Sequence, residues 1–281
     1  MDERKWLAEQ FESQRPRLRS VAYRVLGSVS EADDAVQEAW IRLSGAAHDE
    51  VDDLAAWLTT VVARIALNML RSRKTRSETY VPEPIVDAAE GPSPEHAALL
   101  ANTLGLALLV VLETLSPPER VAFVLHDIFA MPFEQIAPIV ERTPDAARQL
   151  ASRARRRVQA RTAPPDVDMD VQRSVVDAFV AAAESGDLQR LVAVLDPDVV
   201  LRGDTGAKSA VVRGAENVAR QAHSFSRLRV ERRAALVNGT PGLVCSLAGK
   251  PYSVMAFTVR DGKIAEIDIL ADPERIARMG L

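Results

Sequence analysis

The chain predicts a multidomain protein, with two all-α domains, the second a helix-turn-helix, followed by an α+β cone. Three observations carry this. Apolar residues recur at helical spacing through the first seventy-odd positions. Two cap-then-proline signals open helices between 115 and 161, and the second helix is rich in arginine. Beyond residue 195 the pattern switches to strand-like alternation broken by tight-turn dipeptides.

The elements follow in order. Glu3 to Leu26 is a helix closed by Gly27, and Ser30 with Asp33 caps the next, whose apolar face is Ala35, Val36, Ala39, Trp40 and Leu43. A third helix runs from about Asp53 to Arg73 on Leu54, Trp57, Leu58, Val61, Val62, Ile65 and Met69. Thr60, Arg64, Asn68 and Arg71 form a polar stripe along it. From 78 to 94 the pattern collapses into Pro- and acid-rich sequence, read as a linker that can build no core. Helices resume at 95.

Ser116-Pro117 with Glu119 has the layout of a capping box, and Thr143-Pro144-Asp145 repeats the start signal. Between them lies a short helix, Phe133 to Val140, which Pro138 should bend or tighten. In the helix after Thr143, Ala147, Leu150, Ala151, Ala154 and Val158 share the buried face. The other face carries Asp145, Arg148, Gln149, Ser152, Arg153, Arg155 and Arg156. Seven arginines stand against two acids between Glu141 and Arg161, so a phosphate backbone is the expected partner.

A second break falls at 162–169, and the α+β domain covers 170–281. Two helices, Val171 to Glu184 and Leu188 to Leu195, precede strands at Val199–Gly203, Leu228–Val237, Leu243–Leu247, Ser253–Arg260 and Lys263–Leu270. A helix, Ala215 to Phe225, lies before the long strands. Asn238-Gly239 and Asp261-Gly262 are tight-turn signals. The expectation is a curved antiparallel sheet forming a cone with a pocket.

Composition bounds the function. A net charge of −4 with 26% charged residues makes the molecule no polycation, so its positive charge is local. The single cysteine, Cys245, excludes an internal disulfide and gives no support to a zinc knuckle; neither metal nor cofactor is expected. The N-terminal sequence lacks the apolar core of a secretion signal, and the run Leu104 to Leu115 is too short to cross a bilayer. A cytoplasmic protein without membrane contact is expected.

These motifs resemble a known family. Gly27-Ser28 and Glu31 to Trp40, then Ala56-Trp57-Leu58 and Ala63 to Arg71, are similar to region 2 of bacterial sigma factors of the extracytoplasmic-function (ECF) type. Leu115 to Arg120 and the helix-turn-helix are similar to region 4. Such proteins keep only regions 2 and 4, here 1–77 and 95–161. Residues 170–281 resemble the SnoaL-like domains, which one subgroup carries fused at the C-terminus. Tyr80-Val81-Pro82-Glu83-Pro84 is similar to that subgroup's linker motif. Asp204-Thr205-Gly206-Ala207-Lys208 is similar to its glycine-rich motif, with Thr205 and Ala207 where glycines are expected. Asp272-Pro273-Glu274-Arg275 resembles a later one.

The resemblance implies a non-enzymatic factor that binds core RNA polymerase and promoter DNA and is monomeric when free. Asp33, Asp34, Gln37 and Glu38 would dock on polymerase. Thr60, Arg64, Asn68 and Arg71 would face the −10 element, and the loop Gly45–Asp53 would capture an unstacked base. Arg73, Lys74 and Arg76 would add sequence-independent attraction. Arg148, Gln149, Ser152 and Arg153 would approach bases of the −35 element, with Arg155 and Arg156 on phosphates. The acidic linker would either thread the polymerase's positive channel or act as a plain spacer. Pro82, Glu83, Pro84, Asp204, Gly206, Lys208, Asp272, Pro273 and Arg275 would serve regulation in cis by the C-terminal domain.

Asp204, Arg213, His223 and Asp268 are the polar residues that could approach the pocket, where a small-molecule ligand is a candidate occupant. Two alternatives use parts of the same sequence. One is a ligand-responsive helix-turn-helix repressor binding a palindromic operator. The other is a SnoaL-like cyclase or isomerase fused to a DNA-binding segment, dependent on Asp204 or His223.

Overall fold

The computed structural model describes residues 3–45, 53–73, 81–93, 96–97, 105–161, 168–206, 209–226 and 230–281. They fall into two compact units, one of 1–76, 94–102 and 111–161, the other of 77–93, 103–110 and 162–281.

In the helical unit, α1 (Glu3–Leu26) ends where the sequence places its stop. Gly27 takes a left-handed φ of 70° and donates its N–H to the Tyr23 carbonyl at 2.7 Å, closing the last turn. In α2 (Val29–Gly45) the residues Ala32, Ala35, Val36, Ala39 and Leu43 are buried. Trp40 is only half-buried and meets the Phe11 ring at 5.0 Å between centroids. Helix α3 (Leu54–Ser72) starts on Asp53, whose carboxylate accepts the Ala56 N–H at 3.0 Å. Long and apolar enough to cross a bilayer, α3 instead buries Leu58, Val62, Ile65 and Ala66 in this unit's core, which accounts for its apolarity.

Further helices follow, α4 (Gly105–Glu113), α5 (Pro117–Phe123), a π-helical turn at Val124–Ile128, α6 (Phe133–Val140) and α7 (Pro144–Arg161), of which α5 and α6 pack on α3 and the π-helical turn on α1. Pro138 lies near the end of α6, which stops two residues later as Glu141 turns to a φ of 58°. The five apolar residues expected on the inner face of α7 are all buried.

The C-terminal unit contains α8 (Met169–Ser185), α9 (Leu188–Val194), β2 (Leu195–Asp204), β3 (Ser209–Arg213), α10 (Ala215–Ser226), β4 (Val230–Val237), β5 (Thr240–Leu247), β6 (Lys250–Arg260), β7 (Lys263–Leu270) and α11 (Pro273–Arg278). Helices α8 and α10 cover the sheet, with Phe179, Val218, Leu243, Phe257 and Ile267 in one core. Phe179 and Phe257 meet edge to face at 5.5 Å.

Three expectations need correction. The sheet is mixed, because β2 runs parallel to β7 while the remaining pairs are antiparallel. Strand β3 and helix α11 were not foreseen; β3 is five residues long, largely exposed, and its Ala210-Val211-Val212 run does not alternate with polar residues. Most consequentially, the linker is not structureless. Val81 to Ile85 are buried, and Val86–Ala88 form β1, which pairs antiparallel with β4 and completes the order β1-β4-β5-β6-β7-β2-β3. A segment with no core of its own has docked on the edge of another domain's sheet, where main-chain pairing supplies what its side chains lack.

Candidate nucleic-acid interface and linker clamp

The exposed faces of the helical unit match the periodicity. Asp33, Asp34, Gln37 and Glu38 are all exposed on α2. Asp33 pairs with Arg19 at 2.5 Å, and Glu38 pairs with Arg42 one turn on. On α3, Arg64, Asn68 and Arg71 are exposed and Thr60 is half-buried, in one stripe. Both of its cations are engaged at the turn between α6 and α7, since Arg64 donates to the Pro138 carbonyl at 3.4 Å and Arg71 pairs with Glu141 at 3.3 Å. Arg73 is tied to Glu31 and to the Leu26 carbonyl, so it braces region 2 rather than standing ready for DNA. Lys74, Arg76, Tyr80 and residues 46–52 of the loop expected to capture a base lie outside the described residues.

On α7, Arg148, Gln149, Ser152, Arg153 and Arg156 are exposed. Arg148 pairs with Asp145 at 2.7 Å and lies over the Phe133 ring. Arg155 departs from expectation: it is half-buried and its Nε donates to Asp127 at 2.6 Å, which fixes α7 to the π-helical turn. The sequence marked Glu119 only as a cap. Its carboxylate does accept the Ser116 N–H at 3.1 Å and hydroxyl at 2.7 Å, but it also binds Arg157 at 3.0 Å and Arg153 at 3.5 Å. Burial alone would raise its pKa, yet the Ser116 bonds and both arginines outweigh that and hold the carboxyl below its ordinary value. One buried acid therefore starts α5 and sets the pose of α7. Beside it Arg120, also buried, pairs with Glu113 at 2.8 Å and reaches the Arg24 carbonyl of α1.

In the C-terminal unit the three motifs that are far apart in sequence converge on the carboxylate of Asp204. One oxygen accepts the Gly206 N–H at 2.9 Å. The other accepts the Val81 N–H at 3.2 Å and the Arg275 guanidinium at 3.0 Å, while Arg275 also donates to the Val81 carbonyl at 2.6 Å. Asp272 caps α11 through the Glu274 and Arg275 N–H groups, and Pro273 occupies its first position. Gly206 takes a φ of 76°, where a Cβ would fall 2.6 Å from the Asp272 carboxylate. Thr205 has no such φ, so this loop forms without a glycine there; Ala207 and Lys208 lie outside the described residues. Pro82, Glu83 and Pro84 are buried along the same track, which ends where the Asn238 side chain accepts the Ile85 N–H at 2.8 Å.

A cavity of about 240 Å³ opens inside the cone. Of the four polar residues expected near it, Asp204 alone lines it; Arg213, His223 and Asp268 do not. Asp268 instead shares one guanidinium with a second acid. Arg202 donates to Glu266 at 2.7 Å and to Asp268 at 2.9 Å. Burial pushes the Asp268 carboxyl up to about 6; Arg202 opposes this and Glu266 adds to it. Two acids share one buried cation, and the deeper of them, Asp268, is the one whose carboxyl is raised.

Two cation-bearing helical faces, an acidic face beside one of them, and a fused cone define a DNA-binding transcription protein with an appended α+β domain. Residues 10–76 match sigma-70 region 2, 105–158 match sigma-70 region 4, and 176–267 match the SnoaL-like domain. The chain is 41% identical to the ECF RNA polymerase sigma factor SigJ of Mycobacterium tuberculosis, over 95% of its own length and 92% of the relative's. It is 35% identical to the probable sigma factor SigI of the same species, over 95% and 93%. The crystal structure of M. tuberculosis SigJ aligns with a TM-score of 0.78 at 38% identity, covering 95% of this chain and 97% of that one. The chain belongs to the ECF RNA polymerase sigma factors, and carries a SnoaL-like domain at its C-terminal end.

The Asp268 cluster gives a pH test. Its folded carboxyl titrates near 6, above the unfolded value of about 3.9. The folded state thus holds the extra proton between those limits, and stability rises as pH falls through that window. The stability difference between the native chain and Asp268→Asn should change by roughly 1–2 kcal/mol between pH 7 and pH 5. Calorimetric unfolding at both pH values reads it, and a pH-independent difference contradicts the assignment.

Proposed function

We propose that this sigma factor is closed when free and opens on its promoter, with the docked linker as the restraining element supplied in cis by the SnoaL-like domain. The observation that carries the reading is the engagement of the −10 stripe by region 4, through Arg64 to Pro138 and Arg71 to Glu141. Positions −10 and −35 are about 25 base pairs apart, roughly 85 Å along B-DNA. While α3 is held against the turn between α6 and α7, the two reading faces cannot stand that far apart. The chain between Arg73 and Gly105, about 30 residues, can extend to about 100 Å when released, enough to bridge that distance. Docking of residues 81–88 on the cone immobilises the middle of this tether.

In the open state, Asp33, Asp34, Gln37 and Glu38 dock on core polymerase. Thr60, Arg64, Asn68 and Arg71 contact the −10 element. Arg148, Gln149, Ser152 and Arg153 approach bases of the −35 element and Arg156 a phosphate. Arg155 is left out of this set because Asp127 holds it. Both readers sit on one chain, so no second copy is needed, which supports a monomer. The burial of Pro82, Glu83 and Pro84 favours a docked linker over one already threading the polymerase.

Releasing the linker should raise activity. Run-off transcription with core polymerase and the full-length Asp204→Ala/Arg275→Ala protein should yield several-fold more specific transcript than the native chain. Equal or lower yield, with the variant shown to be folded, contradicts the restraint.

The two arginine roles on α7 are separable. Arg148→Ala should cost about 1–3 kcal/mol at one base position and relax specificity there. Arg156→Ala should weaken all sequences alike and lower the salt slope of binding by about one. A salt slope left intact in Arg156→Ala removes the phosphate assignment.

A further inference from the structure

The cavity inside the cone is walled mainly by hydrocarbon, including Phe179, Leu201, Leu243 and Met255. Such a lining favours an apolar body. Among the polar residues in this lining are one cation, Arg232, and one amide, Gln221. Arg232 has a side chain only 17% exposed, yet its contacts are long, 3.5 Å to the largely exposed Glu184 carboxylate and 3.4 Å to the Val230 carbonyl. A shielded guanidinium has five N–H donors, and these two contacts leave most of that capacity unused. Gln221 lines the same cavity, and its side-chain amide makes no hydrogen bond among the described residues. The one carboxylate in the wall, Asp204, is by contrast already engaged by the Val81, Gly206 and Arg275 donors. The charge in this wall with spare capacity is therefore the Arg232 cation, and the ligand group that fits it is anionic.

We propose that the cone cavity binds a compact, mainly hydrocarbon carboxylic acid whose carboxylate is taken by Arg232 and Gln221, and that its binding tightens linker docking through Asp204. The size of the cavity suits a ligand of roughly ten non-hydrogen atoms. The coupling follows from position. Asp204 lines the cavity and also holds the Val81 N–H and Arg275. A hydrocarbon body placed against this wall displaces water, and in the drier surroundings the Asp204 carboxylate binds its donors more strongly. The link is reciprocal, so linker docking favours the acid to the same extent. The inference deepens the regulatory reading above and rests on it for its consequence in transcription.

Cys245 also lines the cavity, where burial raises its thiol pKa, so it adds packing surface rather than a nucleophile.

The test uses full-length protein with benzoate and hexanoate as probes and benzamide as the neutral control, followed by titration calorimetry and by amide exchange at Val81. Both carboxylates should bind, and saturating benzoate should slow Val81 exchange severalfold. Arg232→Met should weaken benzoate by at least about tenfold while changing benzamide far less. Arg232→Lys, which keeps the charge, should fall between. Asp204→Asn should abolish the slowing of exchange. The proposal is overturned if neither acid binds below about 10 mM, if Arg232→Met and Arg232→Lys bind benzoate like the native chain, or if Val81 exchange is unchanged at saturation. These readouts need no polymerase. Acid-dependent slowing together with an Asp204→Ala/Arg275→Ala variant of unaltered transcription therefore establishes the site while refuting the restraint.

Discussion

The carboxylate of Asp204 is the constraint on which the C-terminal half of the molecule depends. It is buried, and every donor it accepts comes from a different stretch of chain: Val81 from the linker, Gly206 from its own loop and Arg275 from α11. Arg275 closes the ring by donating to the Val81 carbonyl. Removing any partner would strand a charge away from water, which costs far more than a surface ion pair is worth. The linker is thus held by a side chain that forms the inner wall of the cone, and not merely by the edge pairing of β1 with β4. Outside and inside of the same wall meet at one residue.

The helical unit uses its charges in two ways. Glu119, Arg120, Arg155 and Asp127 are engaged inside or along the fold, setting where α5 and α7 sit. Arg148, Gln149, Ser152 and Arg156 remain exposed on the face that the helix-turn-helix presents. The arginine richness of α7 therefore overstates its DNA-facing charge, since part of it is structural. The stripe on α3 is likewise intact, but its two cations are engaged, because Arg64 and Arg71 reach across to the turn between α6 and α7.

The periodicity of the helical half was legible almost to the residue. Gly27 closes α1, the inner face of α7 is Ala147, Leu150, Ala151, Ala154 and Val158, and the exposed acids of α2 lie where spacing puts them. Local signals dictate these features, so sequence carries them. The Asn238-Gly239 and Asp261-Gly262 turns were read for the same reason, although Ala248-Gly249, a third pair with φ of 50° and 75°, was passed over. What sequence did not reveal is non-local. Residues 81–88 find their strand partner and their burial on a domain more than a hundred residues away. The parallel pairing of β2 with β7 depends on a crossover that alternation cannot report. The double duty of Glu119 and the capture of Arg155 by Asp127 require knowing which helices meet. The family motifs at 81–84, 204–208 and 272–275 marked the right residues, but only their convergence on Asp204 explains why those residue types stand there.

The account turns on a closed helical unit that must separate to read a promoter. Single-molecule energy transfer between dyes placed at exposed Ser72 on α3 and Gln159 on α7, with Cys245 replaced by serine, measures this directly. High transfer in the free protein and low transfer in the complex with core polymerase and promoter, where the two elements are about 85 Å apart, is the predicted result. Undiminished transfer in a complex that is transcribing would contradict it.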